Sequence, residues 1–444
     1  MSDIKSGYVF TGSNPEWDNN QDTSIRLNKM LDGATVNINA GNNITITRDN
    51  TGITINSAGS GSALPPDANY GDITVTGTVA GGTPNMFRNK IINGDMRIDQ
   101  RFSGNANNNI AGGQYVADRW YSNSNVAGKL RFQQNNTNGP GSAATQIATG
   151  FPYYFGANVV SSNTVNSGDY WVFLQAIEGL NIADLNWGTA SASPVTLSFW
   201  SYSSVSGTHS GSLRNSNVDR SYPFSYTIST ANTWQYQTLT IPGDTSGSWF
   251  SNTGVGVYVT FNLGTGSTYL ATANGTWQSG NYVGPPNAVQ IVNNANGSFY
   301  LTGVQLEKGT QATSFDWRHY TTELQLCQRY YQKTYDIGTI PASATRLGMI
   351  GVSVYGAGSC IYGTMFKTSM RTAPSVIVYD GAGTIGVTSY YQAGAWTDNS
   401  GNARAVNPSE NGFNYNYGYS SNPWTTGQPV NFHYVASAEL VLQN

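Results

Sequence analysis

The stretch 254–264 reads GVGVYVTFNLG, with Val255, Val257, Val259 and Phe261 on alternate positions. Side chains of a β-strand point to opposite faces in turn, so this spacing predicts a strand with one continuous apolar face. The same period returns in PVTLSFWSYSS (194–204), where Val195, Leu197 and Phe199 alternate with Thr196, Ser198 and Trp200. It returns less regularly in TWQYQTLTIPGD (233–244), and in GSFYLTGVQLE (297–307) with one change of phase that predicts a bulge. Gly-, Asn- and Ser-rich turns separate these runs, and no helical pattern intervenes. Short sequential strands of this kind predict an all-β chain whose centre is a two-sheet sandwich, or jelly roll. Trp200 and Trp234, inside such runs, are expected in its core.

Composition narrows the function classes. Charged residues make up 10 % of the 444, with 21 Lys plus Arg against 24 Asp plus Glu, where a soluble domain ordinarily carries about 25 %. A net charge of −3 supplies no field for a phosphate backbone, so nucleic acid is not expected as a partner. Two Cys give neither a disulfide scaffold nor a zinc cluster. No apolar run reaches the roughly 20 residues of a membrane span, and the amino terminus MSDIKSGYVF lacks the apolar core of a signal peptide. Aromatic residues at 12 % argue against disorder.

Five segments follow along the chain. Residues 1–60 carry one candidate helix, Thr23 to Gly33, and then the alternating pairs Val36/Ile38, Ile44/Ile46 and Ile53/Ile55, with a hairpin turn over 48–52. Each of these strands has too few apolar residues to form a core alone, which predicts self-association of identical chains, most simply threefold. Residues 61–85 read as a linker carrying Pro65-Pro66 and a short strand from Asp72 to Val79. Residues 86–318 hold the jelly roll. Thr321 to Tyr335 (within 319–337) predicts a helix, a bridging element with Leu324, Cys327, Tyr330, Tyr331 and Tyr335 near one face; Cys327 is expected as a packed thiol. Residues 338–444 form a C-terminal β tip domain.

Three blocks carry a family resemblance: NKIINGDM (89–96), YVADRWY (115–121) and GVQLEKGTQATSFDWRHYTTELQLCQRYY (303–331). Their order and the closing block resemble bacteriophage and prophage tail-fibre proteins with a carbohydrate-binding-module-like jelly roll, over roughly residues 86–335. The Ile-x-Ile hairpin of residues 44–55 is similar to repeats of phage tail and neck fibres, with a cyanophage-like flavour. The resemblance implies a homotrimeric, non-enzymatic receptor-binding fibre on the virion. Its N-terminal region would meet tail or baseplate proteins, and its distal domains a host surface polysaccharide. It implies no cofactor, although jelly rolls of this kind often hold a structural Ca2+ through an Asp and backbone carbonyls. A structural baseplate protein and a capsule or lipopolysaccharide depolymerase are the alternatives.

Hydrolysis requires two carboxyl groups flanking one glycosidic bond. Asp95 and Asp99, close together at the opening block, read as solvated strand-end residues, Asp118 and Glu307 read as strand-end anchors, and Asp169, Glu178 and Asp184 show no pairing pattern. None of the three histidines, His209, His319 and His433, neighbours a G-x-S-x-G elbow; His319, just before the helix, is expected to cap or pack. Sugar binding has the better candidates, because pyranose C–H faces stack on aromatic rings while hydroxyls pair with carboxamides. The 388–428 stretch mixes both, and its candidate residues are Tyr390, Tyr391, Trp396, Tyr415, Tyr417, Tyr419 and Trp424. Tyr415, Tyr417 and Tyr419 also stand at period two with Phe413, which fits a core or trimer interface equally well.

Overall fold

The computed structural model describes residues 36–39, 44–49, 52–57, 87–107, 112–135, 150–354, 359–400, 402–418 and 425–440. The chain divides into two compact units, Met1–Gly77 and Thr78–Asn444. In the first, β1 (Val36–Asn39), β2 (Ile44–Asp49) and β3 (Gly52–Ser57) form an antiparallel meander. Its register sets Ile38 opposite Ile46 and Ile46 opposite Ile55, so the alternate isoleucines fall in one row across the strands. The helix expected over Thr23–Gly33 and the strand from Asp72 to Val79 lie outside the described residues.

The second unit opens with the jelly roll. Its strands are β4 (Gln114–Ala117), β5 (Trp120–Ser124), β6 (Leu130–Asn135), β7 (Tyr154–Val159), β8 (Tyr170–Glu178) and β9 (Val195–Ser203). They continue as β10 (Gly207–Asn215), β11 (Arg220–Ile228), β12 (Gln235–Ile241), β13 (Val255–Thr265), β14 (Gln278–Ser279) and β15 (Ser298–Lys308). One sheet has the order β14-β11-β10-β13-β8-β5-β4 and the other β12-β9-β15-β7-β6. Val257, Val259 and Phe261 of β13 meet Leu197 and Phe199 of β9 and Phe299 and Leu301 of β15 in the core between them. Burying each such side chain contributes about 1.5–3 kcal/mol. The phase change foreseen in β15 is a register shift between Thr302 and Gln305.

The signature blocks close this sandwich. The Asn89 side chain accepts from the Ile91 and Leu306 N–H groups and donates to Val304 O, joining the opening block to the last strand. Asn93 bonds both the N–H and the carbonyl of Ile98, and Trp120 Nε1 donates to Asn93 O. Asp118 accepts from the backbone and side chain of Gln100, each at 2.6 Å. Asp118, like Glu307, is an anchor as expected, whereas Asp95 and Asp99, expected in solvent, are buried: Asp95 pairs with Arg97 and Asp99 accepts from the Phe102 and Gly104 N–H groups.

Helix α1 (Tyr320–Gln328) is shorter than the sequence predicts. Its expected continuation becomes β16 (Tyr331–Lys333), because those residues pair with Val435–Ser437; a partner about a hundred residues away overrides local helical spacing. Cys327 is fully buried, and burial pushes its thiol well up. His319 occupies the N-cap position, but its exposed side chain makes no capping bond.

The C-terminal domain is a second sandwich. Its strands are β17 (Ile350–Ser353), β18 (Ser359–Met365), β19 (Ser375–Tyr379), β20 (Thr388–Gln392), β21 (Ala395–Ser400), β22 (Asn402–Val406), β23 (Gly412–Gly418) and β24 (Pro429–Ser437). β24 is the hub of a six-stranded sheet, and β18-β23-β22 form the opposing one. Phe413, Tyr415 and Tyr417 of β23 pack against Val430, Phe432 and Tyr434 of β24.

Candidate functional site

On β9, Val195, Leu197 and Phe199 face the jelly-roll core, so strand geometry turns Ser198, Trp200 and Tyr202 to the opposite face of the five-stranded sheet. The β9–β12 register sets Trp200 opposite Tyr236, with ring centroids 5.4 Å apart. These two rings floor an open pocket of about 340 Å³. Phe151, before β7, and Phe315 and Trp317, after β15, form its wall: Phe151 stacks on Trp317 at 4.9 Å and meets Phe315 edge-on at 5.0 Å. Ser198, Thr313 and Ser314 add hydroxyl groups to the lining, which among the described residues contains no charged side chain. Trp317 is 51 % and Tyr236 46 % exposed, so part of each ring stays open to a ligand.

The wall is held in place. Glu307 accepts from the N–H and hydroxyl of Thr313, Gln305 Oε1 from the Asp316 N–H, and Ser314 O from Arg88. Asp316 in turn accepts from the Asn89 N–H at 3.2 Å. Gly303, at φ +59°, sits beneath Phe151, where a Cβ would come within 2.6 Å of the ring. Further along the same face Tyr154, Tyr202, Tyr300 and Trp234 form a second, largely buried aromatic group. There the Tyr300 hydroxyl donates to Asn158 Oδ1, and Trp234 Nε1 and Asn158 Nδ2 are buried without partners among the described residues.

This arrangement corrects the expectation that Trp200 and Trp234 are core residues. Both lie on the face away from the core, and the alternation in 194–204 already assigned Trp200 there. Phe151, Phe315 and Trp317 escaped the sequence reading because none lies in a periodic run; chain closure across the sheet brings them together.

The expected tip residues separate. Tyr391 and Trp396 are cross-strand neighbours on the β20–β21 hairpin, with ring centroids 5.3 Å apart, and the Arg346 guanidinium lies 5.6 Å from the Trp396 ring. Arg346 is held by Asp398 at 2.7 and 2.9 Å, and this contact with the bonds around it keeps Asp398 below the usual carboxylate range despite the opposing effect of burial. Tyr390 is half-buried against the C-terminal core. Tyr415 and Tyr417 are fully buried, which removes them from any glycan surface; they belong to the core that their period of two also allowed. Tyr419 and Trp424 lie outside the described residues.

His209 and His433 are buried, and burial lowers the pKa of both. Among the described residues no three His, Cys, Asp or Glu side chains come together as metal ligands.

No protein-family model matches the chain, and no curated protein does. Among solved structures it is similar to the enzymatically active domain of tailspike protein 4 of bacteriophage CBA120, at 12 % identity and TM-score 0.25, over 50 % of this chain and 22 % of that one. It is also similar to a Pseudomonas phage phi297 tailspike, at 17 % identity and TM-score 0.17, over 24 % and 15 % of the two chains. A family 11 carbohydrate-binding module from Clostridium thermocellum, in complex with a mixed-linked tetrasaccharide, matches at 12 % identity and TM-score 0.22, over 46 % and 99 %. The chain thus spans about a fifth of the first tailspike's length.

Proposed function

We propose that this chain binds carbohydrate through the pocket on the outer face of the five-stranded sheet. The observation that carries the reading is the meeting of Trp200, Tyr236, Phe151, Phe315 and Trp317 with three hydroxyl side chains around one open pocket. Aromatic faces suit pyranose C–H faces, and hydroxyls suit the ring substituents. The uncharged lining favours a neutral sugar, since a charged one would lose hydration with no countercharge in return.

The resemblance of the signature blocks supports the wider setting: a non-enzymatic, homotrimeric tail fibre, attached to the virion through residues 1–60 and meeting host glycan with its distal domains. Three copies of one modest site would bind a repetitive polysaccharide with avidity. The Tyr391–Trp396 pair, Tyr391 exposed and Trp396 half-buried, favours a second contact at the C-terminal hairpin.

Affinity electrophoresis in gels containing host surface polysaccharide tests the pocket. Trp317→Ala and Tyr236→Ala are expected to weaken retardation at least about tenfold, equivalent to about 1.4 kcal/mol, with little change in Tm because both rings are half exposed. Undiminished retardation of both folded variants would reject the site, and shortened polysaccharide chains would reject the non-enzymatic reading.

A further inference from the structure

Two arginines are buried among the described residues, Arg119 and Arg214. Arg119 has a carboxylate, Glu439. Arg214, 3 % exposed on β10, has only neutral acceptors: Asn281 Oδ1 at 2.7 Å and Thr260 Oγ1 at 3.1 Å, with the Tyr258 ring 5.8 Å away. Its Nε is buried without a hydrogen-bond partner among the described residues. Ser212, two residues earlier on the same face of β10, is wholly buried, and its hydroxyl also has no partner among them.

The strand register brings these unsatisfied groups together. Ser212 pairs with Thr260 on β13, and Arg214 Nη2 reaches that same threonine. The guanidinium therefore folds back along the strands toward the Ser212–Thr260 pair, where directly opposed side chains lie about 5 Å apart. On the neighbouring strand Ser221 stands opposite Arg214, and its hydroxyl bonds Gly280 and Tyr282, so residues 280–282 pass over this part of the sheet. A buried cation with neutral partners is costly, and buried donors ordinarily find a partner. Burial, partly opposed by Tyr258 and Tyr170, lowers Arg214 to about 10, still charged at neutral pH.

We infer that a small monovalent anion of the halide class is bound where β10, β13 and residues 280–282 meet, held by Arg214 and Ser212. It supplies the missing negative charge and accepts from both unsatisfied donors. The site lies on the seven-stranded sheet, away from the aromatic pocket, and does not depend on the sugar-binding reading.

Bromide tests this directly. Crystals of the full chain grown in sodium bromide are expected to show an anomalous scatterer within hydrogen-bond distance of Arg214 Nε and Ser212 Oγ. In solution, chloride or bromide is expected to raise Tm by about 2 °C over sodium gluconate at matched ionic strength, with the rise lost in Arg214→Met and reduced in Ser212→Ala. A water at this position in the bromide crystals would overturn the inference. So would a halide-dependent rise in Tm that persists in Arg214→Met. Should Arg214→Met fail to fold, the wild-type crystals and Ser212→Ala still decide the matter.

Discussion

Arg119 and Glu439, 320 residues apart in sequence, form a buried ion pair that joins the jelly roll to the C-terminal sandwich. Arg101 donates to the other oxygen of the same carboxylate at 2.8 Å and lies 3.7 Å over the Tyr331 ring. Burial works against the charged form of both arginines, and Glu439 together with the neighbouring tyrosines and, for Arg101, Asp118 more than offsets it. The D-R-W element is thus a junction between domains. Glu439→Gln keeps the shape but leaves the Arg119 guanidinium buried without a countercharge, which should cost about 3–5 kcal/mol. Urea unfolding followed by intrinsic fluorescence is expected to show a lower midpoint. A midpoint within error of wild type would refute the junction's energetic role.

Stability should also fall as pH rises from 4 to 6 at a second buried acid. Burial pushes Asp95 up to about 6, partly opposed by Arg97 and reinforced by the nearby Glu323 charge. A carboxyl whose folded pKa lies above its unfolded value binds the proton more tightly when folded. Its contribution is therefore present below about pH 4 and lost as pH rises through 6, a change on the order of 3 kcal/mol. Tm measured across this window is expected to fall less in Asp95→Asn than in wild type; parallel curves would exclude Asp95 as the source.

The period of two made most strands legible, because one buried face imposes it whatever the topology. It also placed Trp200 outside the core, a consequence that the habit of assigning Trp to cores obscured. The aromatic wall was not legible: Phe151, Phe315 and Trp317 lie in segments without periodicity and meet through closure over more than 150 residues. The end of α1 was hidden for a related reason, since Tyr331–Lys333 answers to β24 rather than to its own neighbours. Sequence showed that Phe413, Tyr415 and Tyr417 share a face, but only the opposing sheet reveals that this face is covered.

The burial of Tyr415 separates stability from recognition. Its ring stacks on Phe432 at 3.9 Å with 6° between the planes. Tyr415→Ala should cost about 3–5 kcal/mol through the cavity it leaves, seen as a lower Tm. Polysaccharide retardation of the folded fraction should stay at the wild-type level, whereas a specific loss of retardation would return Tyr415 to the binding surface.

Gly303 links backbone conformation to the pocket. At φ +59° a Cβ is disfavoured by roughly 1–2 kcal/mol, and here it would also meet the Phe151 ring at 2.6 Å. Phe151 is the support on which Trp317 stacks, so displacing it tilts the exposed ring that a sugar would use. Gly303→Ala should therefore lower Tm and weaken polysaccharide retardation together. Gly211→Ala provides the comparison: its Cβ would strike Phe224 at 2.6 Å inside the seven-stranded sheet, far in topology from the pocket. A comparable loss of Tm in Gly211→Ala with retardation intact would assign the binding loss in Gly303→Ala to the Phe151–Trp317 wall. An equal loss of retardation in both would instead assign it to general destabilisation, and the wall would have no separate role.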